Sequence, residues 1–205
     1  MSEPDPPDRL GAALRALNDT VVRTGAGPGE LADAAAAVEA LTARLRQAPA
    51  ASWVHDSPYH PMSLVGGTAQ PIAPQLRVRP SPEGGVAGTV VLGPSYEGGP
   101  GLVHGGVLSL VFDHVMGQAV FDAGYSAMTV SLEVRYKAPT PLDVPLAVSA
   151  AVESSEGRKV FVVARVRVDG TVTAEARGVF VQLTADNVAD IFPPGRVPDG
   201  PIPTP

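Results

Sequence analysis

The chain's best candidate for chemistry is the stretch Gly98-Gly99-Pro100-Gly101-Leu102-Val103-His104-Gly105-Gly106, followed by a single acid at Asp113. Glycines ahead of and inside a first helical turn leave backbone N–H groups open. No side chain covers them, and the first four donors of a helix have no intrahelical acceptor. The positive end of the helix dipole, about half a charge, reinforces those donors. Such a terminus can polarise a carbonyl and hold the oxyanion that forms when water attacks it. Asp113 is the only acid within the apolar run that follows, so burial there demands a reason. It can orient or deprotonate water, or it can be a structural acid bonded to Ser, Thr or backbone groups.

Gly105 and Asp113 are eight residues apart, roughly 12 Å along a helix rising about 1.5 Å per residue. One helix cannot bring both to the same carbonyl. If they cooperate, two helices from two subunits lie side by side and antiparallel, which predicts a symmetric dimer with two composite sites. His104 either touches substrate or fixes the loop ahead of the helix. His114 follows Asp113 but points about 100° away from it, so the two form no dyad and His114 reads as packing or interface. Thr129 begins the polar face of the next strand, where its hydroxyl could hold the attacking water; Ser131 on the same face is its rival, and a merely solvated strand face is the third reading. The turn Glu156-Gly157-Arg158-Lys159, with Arg135 and Lys137 on a neighbouring strand, offers cations that could bind phosphates or simply solvate the surface. The candidate catalytic residues are thus Asp113, Gly105, His104 and Thr129. The candidate substrate contacts are Gly106, Lys137, Arg158 and Lys159.

These residues need a scaffold. Leu10, Leu14, Leu17 and Val21 at helical spacing predict an amphipathic helix over 9–23, and Leu31, Val38, Leu41 and Leu45 predict another over 30–47, with glycines and Pro28 between. Their apolar stripes must dock on the main domain or on a partner. Residues 52–67, with Trp53, His55, His60 and Pro61, have no clean period and read as an irregular linker. The two histidines lack a third ligand at fixed spacing, so no metal site is expected. Strands are predicted over 75–79 and 85–92, then a Gly/Pro-rich loop. An all-round apolar, hence buried, helix follows over 104–122. Four strand-like runs come next: 128–138, 142–154, 158–169 and 171–184. The first alternates strictly, with Val130, Leu132, Val134 and Tyr136 on one face, and Asp169-Gly170 signals a hairpin. Two strands, a buried helix and four strands predict an α+β domain, a sheet curled around a central helix. The expected organisation is an N-terminal extension over 1–70, the main domain over 71–185 and a Pro-rich tail over 186–205.

Composition narrows the function. The 205 residues contain no cysteine, which removes disulfides, zinc-thiolate sites and thiol nucleophiles. Aromatics are 5% against 44% hydrophobic residues, so the core has to be built from Val, Leu, Ala and Ile. A net charge of -6 argues against nucleic acid as a partner. No apolar run of about 20 residues predicts a membrane span, and no signal-like segment opens the sequence, so a cytoplasmic location is expected.

Over residues 93–183 the chain resembles the acyl-CoA thioesterase branch of the hotdog superfamily, in particular PaaI-like proteins and mammalian mitochondrial thioesterase-superfamily members. The resemblance is carried by Gly99 through Gly106, Asp113, Met128-Thr129, Tyr136-Lys137 with Pro139 and Pro141, and Glu156-Gly157-Arg158-Lys159. It implies a hotdog dimer, often paired into a tetramer, with no metal or redox cofactor and an acyl-CoA substrate. Carried over by position, it implies that Gly105 supplies the oxyanion N–H, Asp113 the base or nucleophile and Thr129 the water-orienting hydroxyl, while Arg158 and Lys159 meet the CoA phosphates. The chain departs from some PaaI-like enzymes in having Gly98 and Gly99 where they carry Asn. Two other functions compete with hydrolysis. A hotdog hydratase or dehydratase requires a His and an acid together, a pair the helix does not offer; a non-catalytic acyl-CoA-binding protein would use the N-terminal helices to recruit a partner. Phe112, Met116, Ala119 and Val120 are the expected walls of an apolar acyl tunnel.

Overall fold

The computed structural model describes residues 5–49 and 60–184. Trp53, His55 and the whole of the tail expected over 186–205 lie outside them. Among the described residues the order is helix α1 (Pro6–Val21), helix α2 (Pro28–Leu45), strands β1 (Val78–Pro80) and β2 (Val86–Val91), helix α3 (Gly105–Asp122), and strands β3 (Ala127–Tyr136), β4 (Pro145–Glu156), β5 (Lys159–Val168) and β6 (Thr171–Gln182). The strands form one antiparallel sheet in the order β1-β2-β4-β5-β6-β3.

Alternation along the strands explains how the sheet holds α3. Leu146, Val148 and Ala150 of β4, Val160, Val162, Ala164 and Val166 of β5, and Ala174, Ala176 and Phe180 of β6 are buried on one face. Across from them α3 buries Leu108, Val111, Phe112, Val115, Met116, Ala119 and Val120. The helix approaches closely because Gly178 of β6 has no side chain; a Cβ there would lie 2.8 Å from the Met116 sulfur. Asp169 and Gly170 close the β5–β6 hairpin with φ of 48° and 82°, the paired positive values of a type I′ turn. A sheet curled on one long helix is the hotdog fold, as the element order predicts.

Three expectations need correction. First, α3 is not buried all round. Gly106, Asp113 and Phe121 are exposed and Ser109, Leu110 and Gly117 half-exposed along one stripe, with Phe121 at 63%. Asp113 is therefore not a buried acid. Second, β3 does not alternate strictly. Thr129 pairs with Phe180 and Ser131 with Val179, so Val130 is the extra residue of a β-bulge. Residues directly opposite in a ladder share a face, so Thr129, opposite buried Phe180, joins Leu132, Val134 and Tyr136 on the helix side. Ser131 lies on the other face, and Val130 is 61% exposed. Third, Phe112, Met116, Ala119 and Val120 are fully packed core and line no tunnel.

The N-terminal helices differ from each other. On α1, Gly11 is buried so tightly that a Cβ would sit 2.7 Å from the Ala69 carbonyl carbon. Polar side chains on the same stripe make most of the bonds to the domain: Asp8 accepts from the Thr68 hydroxyl, Arg15 donates to the Gln70 carbonyl and Asn18 to that of Pro71. Leu10, Leu17 and Val21, expected as the docking stripe, remain exposed. Helix α2 buries no residue and exposes Leu31, Val38 and Leu45.

Candidate active site

The loop between β2 and α3 is held in place by bonds at each step. Glu97 bridges to Val103, Gly98 N–H donates to Leu102 O, and Gly101, at φ 72°, donates to the Glu97 carboxylate at 2.6 Å. Gly98 is required by proximity, since a Cβ there would lie 2.7 Å from the His104 Cα. Helix α1 braces the start of this loop: Asp19 accepts from both the backbone N–H and the hydroxyl of Ser95, at 3.1 and 2.6 Å; just past the helix, Arg23 pairs with Asp143, ahead of β4, at 2.9 Å. Tyr96 donates its hydroxyl to the Ile72 carbonyl, and its own carbonyl accepts from the His104 N–H. Burial, with the charge of Asp19 adding and that of Arg15 opposing, pushes the Tyr96 phenol up to about 12.

His104 is the N-cap of α3, and its Nδ1 accepts from the Gly106 N–H at 2.9 Å. That bond uses the Gly106 amide and makes Nδ1 the acceptor nitrogen of the ring. The His104 carbonyl accepts from Val107 and Leu108, whereas among the described residues the Gly105 N–H meets no acceptor. Of the two glycine amides expected to face a ligand, Gly105 is the free one. Further along, Thr129 donates its hydroxyl to Asp113 at 2.7 Å. The bulge at Val130 turns Thr129 to the helix side, where it, and not Ser131 on the other face, reaches Asp113.

The remaining candidates fall at different ends of the sheet. Lys137 follows β3 near Gly105, and its ammonium pairs with Glu175 at 2.8 Å, a bond that holds the Glu175 carboxyl below its ordinary range. Arg158 and Lys159 sit at the β4–β5 turn, where Lys159 lies opposite Val181. Within one protomer this end holds Thr129 and Asp113, so Lys137 does not join Arg158 and Lys159 in one cluster. His114 packs toward the linker, with Nε2 placed 3.6 Å from a Cβ built on Gly66. Burial there lowers its pKa despite the neighbouring Asp113. His60 is buried and accepts the Met62 N–H on Nδ1, a structural use. Among the described residues no helix is long and apolar enough to cross a membrane. Sequence reasoning assigned no role to Tyr136, whose hydroxyl donates to the Gly105 carbonyl at 2.8 Å. Its place in the alternating run and its place in the Tyr136-Lys137 pair of the resemblance were the available signals.

A hotdog sheet whose long helix carries an open glycine amide at its start and a hydroxyl-bonded carboxylate midway is the class this geometry defines. Residues 100–175 match the family profile described as thioesterase superfamily. A crystal structure of a thioesterase superfamily protein is 34% identical with a TM-score of 0.81, and the match covers 89% of this chain and 94% of that one. The chain belongs to the thioesterase superfamily. It is also similar to two acyl-coenzyme A thioesterases named THEM4. The one from Bos taurus is 34% identical over 93 residues, which cover 44% of this chain and 38% of the relative; the one from Xenopus laevis is 39% identical over 94 residues, which cover 44% and 42%. The chain thus matches about two fifths of the length of these relatives.

Proposed function

We propose that the chain hydrolyses acyl-CoA thioesters in composite sites of a homodimer, with the Thr129–Asp113 bond as the observation that carries the reading. A carboxylate that accepts from a threonine hydroxyl on one oxygen keeps the other free. Asp113 then takes a proton from water while the Thr129 oxygen, whose hydrogen is engaged, accepts the water's second hydrogen. The hydroxide adds to the thioester carbonyl, and the resulting oxyanion accepts from the Gly105 N–H at the positive end of the partner's α3. Collapse of the tetrahedral adduct restores the C=O bond and expels the CoA thiolate, which takes the proton that Asp113 removed from water and so returns Asp113 to its carboxylate form. The sequence calls for no metal or redox cofactor, because a carboxylate and a backbone donor supply both charge roles.

The pairing of two copies is supported by what α3 and β3 leave open. Phe121, Met128, Val130 and Tyr136 are large and exposed along the helix stripe and the edge strand beside it. Antiparallel apposition of two such stripes would cover them and carry each Gly105 toward the partner's Asp113. It would also put Arg158 and Lys159 on the Asp113 side of each site, suited to the CoA phosphates. The names of the THEM4 relatives point to the same substrate class.

The test is thiol release from a panel of acyl-CoA esters by the purified chain and by Asp113→Asn. Hydrolysis by the native chain that falls roughly 100-fold or more in the variant, at unchanged oligomeric state, is the expected result. Full activity of Asp113→Asn removes the acid from the mechanism. Hydration of an enoyl-CoA without thiol release, or tight CoA-ester binding with no turnover, would establish one of the competing functions instead.

A further inference from the structure

Two adjacent glycines at a helix start are a poor way to hold a catalytic amide still, since each is free to rotate about both φ and ψ. The His104 cap restrains Gly106. The restraint on Gly105 comes from another element: Tyr136, at the far end of β3, donates to the Gly105 carbonyl at 2.8 Å, and Ser109 donates to the same oxygen at 3.1 Å. The two hydroxyls lie 3.2 Å apart and close a small network around that carbonyl. The missing side chain of Gly105 allows it, because a Cβ there would lie 3.0 Å from the Tyr136 oxygen. We propose that Tyr136 is a positioning residue that aims the Gly105 N–H at the thioester oxygen, an inference that rests on Gly105 being the oxyanion donor.

Fixing the Gly105 carbonyl fixes the plane of the peptide that follows it and, through the Gly105 backbone, the direction of the N–H that precedes it. Oxyanion stabilisation depends on donors already aligned when charge develops, so loosening this residue costs rate more than affinity. Tyr136 is 55% exposed and Tyr136→Phe removes one oxygen only, so the sheet and its stability should be unaffected.

Two measurements test the assignment. In turnover assays Tyr136→Phe should lower kcat roughly ten-fold with KM unchanged. In infrared difference spectra, Asp113→Asn binding an acyl-CoA with a 13C-labelled thioester carbonyl should show that band displaced to lower wavenumber, and adding Tyr136→Phe should return part of the displacement. A displacement and a kcat both indifferent to Tyr136→Phe overturn the role of Tyr136 while leaving Gly105 in place. A rise in KM at constant kcat makes Tyr136 a substrate contact and also overturns it. No displacement in Asp113→Asn alone removes Gly105 as the donor, and the Tyr136 role with it.

Discussion

Replacing Thr129 by Val removes a single hydroxyl from a side chain of nearly the same shape, so it isolates the bond to Asp113. At 2.7 Å this is an O–H to carboxylate bond in the short, charge-assisted range. Such bonds contribute about 1.5–3 kcal/mol, the lower figure where water competes and the upper where it is excluded. Thr129 and Asp113 are both exposed in the protomer, so the upper figure applies only if a second copy covers them. At about 1.4 kcal/mol per factor of ten, the loss in kcat should lie between roughly 10-fold and roughly 150-fold. Stability should fall by no more than about 1.5 kcal/mol, the lower figure, since water can replace the lost partner at an exposed site and valine suits a strand. Steady-state thiol release across acyl-CoA concentrations reads the effect, with Thr129→Ser expected to retain most of the rate and Ser131→Ala, on the opposite face, all of it. In an Asp113→Asn background Thr129→Val should cost little more, because the two residues act as a unit. Full activity of Thr129→Val, or costs that simply multiply in the double variant, would refute the argument.

Three further outcomes follow from the same structure. Arg158→Ala combined with Lys159→Ala should raise KM for acyl-CoA roughly 5-fold, by an amount that shrinks with added salt, and leave a short thioester lacking the nucleotide unaffected. Lys137→Ala should leave KM for acyl-CoA unchanged, because Glu175 already neutralises that ammonium. Burial holds His114 below its ordinary 6.5 in the folded chain, so as pH falls through about 6.5 the unfolded chain gains a proton the folded one resists, and stability present above that pH is lost below it. Thermal melts between about pH 7.5 and about pH 5.5 should show a declining Tm, with a shallower slope in His114→Asn; parallel slopes would remove His114 as the cause.

What could be read in advance depended on whether a feature leaves a local pattern. The Asp169-Gly170 hairpin was legible because only a few residue pairs tolerate two consecutive positive φ values. Helix α3 was legible because its glycine start and largely apolar run admit little else. The bulge at Val130 was not: the inserted residue is neither Gly nor polar, and the apolar-polar alternation runs through it unbroken, so counting put Thr129 on the wrong face. The docking of α1 was missed for the opposite reason. Periodicity rules seek an apolar stripe, and this helix seats Gly11 and bonds through Asp8, Arg15, Asn18 and Asp19. The open stripe of α3 escaped because hydropathy records what prefers to leave water, and Leu110 and Phe121 register the same whether their cover comes from this chain or from another.

The strand that defeated the counting is also the one that links the proposed chemistry. Thr129 near one end of β3 bonds the acid of α3, and Tyr136 at the other end bonds the carbonyl of Gly105. If each site pairs the acid of one copy with the amide of the other, a single β3 supports two different sites, one through each end. Its two helix-facing polar contacts must then both be in register with α3, eight residues apart on a helix but seven apart on a strand whose rise per residue is about twice as large. An unbulged strand that kept Tyr136 on the helix side would, by alternation, turn residue 129 away. The extra residue at Val130 lets one edge strand satisfy both constraints, and that gives the bulge a reason beyond the local twist it introduces.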